Sequence, residues 1–152
     1  ADHLNPDLEF LYDNNSLEEA LEEKKQAVDT WKQMSLLYKG FSKSFKKDFD
    51  YVRVSIEYGF GLFEWTFRAW EIMILDFQFE RGVRQLLERM KQVFKDYDIA
   101  ETNYLKLSQE PQAATLFRPV SWYWPGEKPG PGLKDSIEKI RSKYTKELSQ
   151  KS

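Results

Sequence analysis

The chain has 152 residues, 23 basic and 25 acidic side chains for a formal net charge of −2, and an aromatic content of 16% from five Trp, eight Tyr and eleven Phe. That charge balance argues against a dedicated nucleic-acid binder, which carries a basic excess, and the length allows one hydrophobic core without disulfides or metals. There is no cysteine, and the single histidine is His3 in the N-terminal tail. Thiol catalysis and thiolate metal sites are therefore excluded, and an imidazole-dependent metal site or Ser/His/Asp triad would rest on that tail residue alone.

The densest apolar stretch, Ile56 to Phe79, is interrupted by Glu57, Glu64, Arg68, Glu71 and Asp76, so no membrane-spanning helix is expected there. The chain begins with Ala1. A processed organellar or secreted protein starts this way, and so does a trimmed chain.

The first element in chain order is short. Asn5 is a capping type, Pro6 suits a first helical position, and Asp7 and Glu9 favour the positive end of a helix. Phe10, Leu11 and Tyr12 are expected to bury one side, and Asp13 to Asn15 reads as a break. Ser16 with Glu19 then spells a capping box. Leu17, Ala20, Leu21, Ala27, Val28, Trp31, Met34 and Tyr38 follow at helical spacing, interrupted by Lys24, and Gly40 sits where a C-terminal glycine belongs. A helix over residues 17–39 is expected.

Residues 41 to 80 carry half of the aromatic residues, and Val52, Val54, Ile56, Tyr58 and Phe60 alternate as a strand would. The polar residues favour helix instead. Asp50, Glu57, Glu64, Glu71 and Gln78 recur every seven positions, with Arg53–Glu57 and Glu64–Arg68 at pairing distance on a helix. A break or kink is expected near Gly59 and Gly61. A third stripe runs from Val83 through Leu86, Leu87, Met90, Val93, Phe94, Tyr97, Ala100 and Tyr104 to Leu107, until Pro111 ends the pattern.

From Pro111 to Gly132 the chain holds five of its six prolines and three of its seven glycines, which suits an extended arm. Leu133, Ile137, Ile140, Tyr144 and Leu148 then mark one narrow apolar strip on an otherwise charged helix. The expected architecture is all-α: a helical bundle of three to four main helices over 1–110, a Pro/aromatic arm over 111–132 and a C-terminal amphipathic helix over 133–152.

Few constellations suggest chemistry. Glu57, Glu64 and Glu71 lie on one helix face, but a di-metal bundle site pairs such carboxylates with Glu-x-x-His and no such His exists. Paired charges on a solvated stripe explain them without an enzyme. Lys43, Lys46 and Lys47 interleave with Phe41, Phe45 and Phe49, a mix that can meet phosphates. An amphipathic helix with Phe inside and Lys outside needs no ligand. Gly59-Phe60-Gly61 is no phosphate loop, since the third glycine and the Gly-Lys-Ser/Thr sequence are missing.

The arm gives the strongest hint of function. Trp122, Tyr123 and Trp124 stand together in a segment that cannot build its own core, and each can bury about 150–250 Å². Either the arm closes the end of its own bundle or it embeds in another subunit, as Trp and Tyr do at interface hot spots. The strip at Leu133, Ile137, Ile140, Tyr144 and Leu148 has the form of a seam docked on one groove. The expected function is that of a non-catalytic structural subunit in a larger assembly, with other protein subunits as partners and no cofactor or metal. Nucleic acid is not expected, and a membrane surface is the weaker expectation, at the periphery of a complex. The alternative is a helical carrier for a lipid or pigment lined by Phe60, Phe63, Trp65, Phe67 and Trp70.

Tyr97-Asp98-Ile99-Ala100-Glu101 resembles the Tyr-x-x-x-Asp/Glu export signal of the small helical-hairpin substrates of type VII secretion systems. The resemblance implies a secreted helical partner protein. It covers five residues, and the family's Trp-x-Gly turn is missing, as is any counterpart to the segment after residue 110.

Overall fold

The computed structural model describes residues 6–46, 49–83, 87–110 and 132–149. Among them every regular element is helical: α1 (Leu8–Asp13), α2 (Leu17–Phe45), α3 (Asp50–Glu80), α4 (Leu87–Ser108), α5 (Leu133–Lys143) and α6 (Thr145–Ser149).

Residues 51–60 are helix, and burial explains why. Val54, Tyr58, Gly61, Trp65, Ala69 and Ile72 are all buried, with spacings of three and four, whereas Val52 is exposed. Alternating residues therefore do not share a face. Helix α3 also runs unbroken past both glycines, contrary to the expected break. The glycines serve close packing instead. A Cβ on Gly59 would lie 2.5 Å from the Trp31 ring of α2, and one on Gly61 would lie 2.7 Å from Leu107 Cδ1 of α4. Each lets a large side chain from a neighbouring helix rest on the α3 backbone.

Gly40 is likewise no helix stop. Helix α2 continues to Phe45 and ends at Lys46, which takes the left-handed conformation at φ 51°. Nothing lies within 4 Å of a Cβ at Gly40. These environments predict opposite signs. Gly40→Ala should raise stability by up to about 1 kcal/mol through helix propensity. Gly59→Ala should lower it, because overpacking against a rigid indole costs about 1–3 kcal/mol and outweighs that gain. Thermal melts of the two variants check this, and a Gly59→Ala protein melting above the parent would refute the close contact.

Helix starts differ in detail from the sequence expectations. Asp7 caps α1, its carboxylate accepting from Phe10 N at 3.0 Å. Ser16 precedes α2 but makes no side-chain cap; its hydroxyl donates to Asn14 O at 3.0 Å. No residue of α1 is buried, and Phe10 and Tyr12 are exposed. Six residues are too few to hide a face. Tyr12 instead meets Phe77 of α3 edge-on at 5.6 Å, with the Arg81 guanidinium over both rings.

The core lies between α3, α4 and α5. Trp65 and Tyr104 stack at 5.1 Å with 5° between planes, and the Tyr58 and Tyr104 hydroxyls meet at 3.3 Å. Leu133, Ile137, Ile140 and Tyr144 complete this core. The C-terminal strip is thus occupied by the chain's own helices, and the division at residue 133 into a separate docking unit is corrected. The helix also breaks at Tyr144, leaving Leu148 on α6, partly buried against the same core.

Charges reinforce this seating. Lys134 bridges Glu101 and Glu138, each at 2.8 Å. Arg141 reaches Asp98 at 2.6 Å, and Lys143 reaches Asp76 at 2.8 Å and also Glu80. Burial pulls the Lys134 and Lys143 ammoniums down, but hydrogen bonds and charge from these carboxylates outweigh it and hold both above their ordinary 10.5. Glu80 falls below 4.5 through its hydrogen bond to Lys143 and that residue's charge. For Glu138, burial pushes upward, but Lys134 and Arg141 pull it below 4.5 overall. The lowered carboxylates stabilise fully above 4.5 and lose that contribution as pH falls through their folded values. The raised ammoniums stabilise fully below 10.5 and lose it as pH rises through theirs. Melting temperature should therefore be flat between these limits and fall in acid. Lys143→Met should flatten the acid limb only modestly, since its partner Glu80 is well exposed; an unchanged limb for both Lys134→Met and Lys143→Met would refute the clamp.

Candidate interaction surface

Helix α2 packs antiparallel on α3, with Lys24 Nζ 4.5 Å from the Trp70 ring centroid, Trp31 over Gly59 and Tyr38 against Phe49. Helix α4 runs back along another side of α3, and its last turns reach Gly61 through Leu107 and Tyr104. The second half of α2 therefore lies beside the first turns of α3, beyond the end of α4. Its outer side chains are left uncovered: Leu37 is 74% exposed and Phe45 67%, with Met34, Leu36 and Phe41 also exposed and Tyr51 and Val52 across the turn.

The residue before α3 is hydrogen-bonded to α2. The Tyr38 hydroxyl accepts from Phe49 N at 2.7 Å and donates to Phe49 O at 3.1 Å. Phe41 packs ring to ring with Phe45 at 4.6 Å and Phe49 at 6.0 Å. The arrangement with Phe inside and Lys outside is overturned here, because α3 alone cannot cover more than one side of α2. Lys39, Lys43 and Lys46 are exposed on the same stretch.

A second feature is a cleft of about 540 Å³ between α1, α2 and α3, lined mainly by Phe10, Leu11, Ala27, Phe63, Trp70 and Lys24. Burial pushes the Lys24 ammonium down, against an opposing charge from Glu23. The aromatic set named as a ligand lining is divided by the fold. Phe63 and Trp70 line the cleft, Phe60 is half-buried, and Trp65 and Phe67 are packed inside. Helix geometry sets Trp65 apart, two residues from both Phe63 and Phe67, whereas Phe60, Phe63, Phe67 and Trp70 follow at three- and four-residue spacing along one side of α3.

Trp122, Tyr123 and Trp124 lie outside the described residues. Two carboxylates of the acidic stripe pair within α3: Glu57 with Arg53 at 3.1 Å, and buried Glu71 with Arg68 at 2.6 Å. Arg68 also approaches Asp96 of α4 at 3.8 Å, so it turns to Glu71 and α4 rather than to Glu64. Among the described residues no group of three or more His, Cys, Asp or Glu is placed to hold a metal ion. The Tyr97–Glu101 pair is inward: Tyr97 is buried, its hydroxyl donates to Glu101 at 2.9 Å, and Glu101 receives Lys134 from α5. The two residues that resemble an export signal therefore join α4 to α5.

Comparison with protein-family models, with curated proteins and with solved structures finds no match.

Proposed function

We propose that this protein is a non-catalytic structural or interaction subunit of a larger assembly, built as a bundle of three to four main helices with an extended aromatic arm. The observation that carries this reading is the uncovered set Leu37, Phe41, Phe45, Tyr51 and Val52 on a helix pair joined by the Tyr38 hydroxyl at Phe49. Contiguous apolar surface of this kind marks an attachment site. The Trp122-Tyr123-Trp124 segment is a second point of attachment by its chemistry. Leu133, Ile137, Ile140 and Tyr144 serve the internal core instead and are withdrawn from the partner surface.

Mild purification of the native protein from its source tests this reading. Other chains should co-purify, and fewer should remain with a Trp122→Ala/Trp124→Ala variant. A free monomer with no retained component would end the proposal.

The cleft favours a second reading, a carrier of an apolar ligand seated on Phe63 and Trp70 beneath α1. A lipid or pigment recovered by solvent extraction, and displaced in a Phe63→Ala variant, would support it. An empty extract from protein purified without detergent would remove it.

A further inference from the structure

We infer that the cleft between α1, α2 and α3 takes a single-chain aliphatic acid, with its hydrocarbon on Phe63 and Trp70 and its carboxylate on the Lys24 ammonium. The inference rests on the carrier reading above and names the ligand class of that cleft. The first support is where Lys24 stands. Leu17, Lys24, Trp31 and Tyr38 follow at seven-residue spacing on α2. The other three all turn to α3: Leu17 is buried beside Ile74 and Leu75, Trp31 covers Gly59, and Tyr38 is bonded to Phe49. A lysine therefore occupies an inward position of the helix. Among the described residues no carboxylate pairs with it, and its ammonium lies on the Trp70 ring at 4.5 Å. Half-buried Lys134, by contrast, pairs with both Glu101 and Glu138. Burial penalises the Lys24 charge, and neighbouring Glu23 offsets this only in part. An anion arriving in the cleft would relieve a cost that the fold leaves standing.

The second support is the lining. Ala20 and Ala27 flank Lys24 on the same side of α2, four and three residues away, and contribute only methyl groups, so a space of about 540 Å³ stays open. That volume lies within the roughly 300–1,000 Å³ of small-molecule sites, whose usual lining is aromatic walls with a few polar anchors. One cation among apolar walls selects an anionic amphiphile over a neutral hydrocarbon. Asp7 and Glu23 also border the cleft, but both are exposed, and the Asp7 carboxylate is engaged in capping α1. Their charges disfavour a dianion, so a carboxylate suits the site better than a phosphate monoester.

Calorimetric titration of the delipidated full chain with decanoate, decanol and decyl phosphate, each below its micelle concentration, tests this. Decanoate should bind about 10-fold more tightly than decanol, the worth of one charge-assisted hydrogen bond, and more tightly than decyl phosphate. Lys24→Met should erase the advantage over decanol and leave the decanol affinity as in the parent, since an apolar residue continues the Leu17–Trp31 series. Lys24→Gln, which also removes the charge, should do the same. Ala27→Phe, which fills the cleft from α2, should abolish binding of all three. Lys25→Met, at an exposed position of α2, should change nothing. Circular dichroism of each variant separates lost binding from lost fold. Equal binding of decanoate and decanol, a preference for decyl phosphate, or a decanoate preference that survives both Lys24 variants overturns the inference and leaves the carrier reading standing. Failure of all three compounds to bind removes both.

Discussion

Replacing Trp65 with alanine is expected to lower the unfolding free energy by about 3–5 kcal/mol. The indole is fully enclosed, with 0% of its surface exposed, and lies flat on Tyr104 of α4. Its removal leaves a void that two long helices cannot close, because each is held elsewhere by Gly61–Leu107 and Tyr58–Tyr104 contacts. The denaturation midpoint should fall while the slope with denaturant stays the same, as for a native state that keeps its extent of folding. Trp65→Phe should recover a large part of the loss. A cost under about 1 kcal/mol would mean that this stack is not central to the core.

Ile137→Asp is expected to cost at least as much. Leu133 and Ile137 are both wholly buried between α3 and α4, so the substitution places an unpaired carboxylate in an apolar site, where removal of either its charge or its burial is the only relief. The variant should unfold at markedly lower denaturant concentration, while Lys139→Asp, an exposed change on the same helix, should stay close to the parent. If α5 were a free docking seam, Ile137→Asp would leave the stability of the isolated chain untouched. The same packing means that a chain ending at Glu110 loses part of its core, so its failure to bind a partner would not by itself locate the binding residues.

The sequence made some of this legible and hid the rest for physical reasons. Helical periodicity in α3 was readable because its polar residues recur every seven positions, and that pattern survives whichever helix packs against it. The role of Gly59 was not readable, since a glycine that breaks a helix and one that admits an indole look alike until Trp31 is seen above it. Gly40 misled for the same reason, as propensity alone does not stop a helix whose next turns still find ring contacts at Phe41 and Phe45. The strip on α5 was read correctly as a seam, but a periodic pattern does not say which groove receives it, and here the groove is internal. The exposed half of α2 was missed because Phe41 and Phe45 were expected to face inward. Only the relative ends of α2 and α4, fixed by tertiary packing, show that no helix among the described residues stands there to receive them.

The tightly packed cluster draws on α3, α4 and α5 and includes no α2 side chain; of the 29 residues of α2 only Leu17 is buried. Separating α2 from α3 would therefore break Trp31–Gly59, Lys24–Trp70 and the Tyr38 pin but leave the Trp65–Tyr104 stack intact. Opening free energies within one chain follow such differences in packing. The described residues thus form a firm body of α3, α4 and α5 with a more lightly packed outer helix α2, which carries the exposed Leu37, Phe41 and Phe45. Whatever seats against those side chains also adds its own binding energy to a helix that the core does not hold.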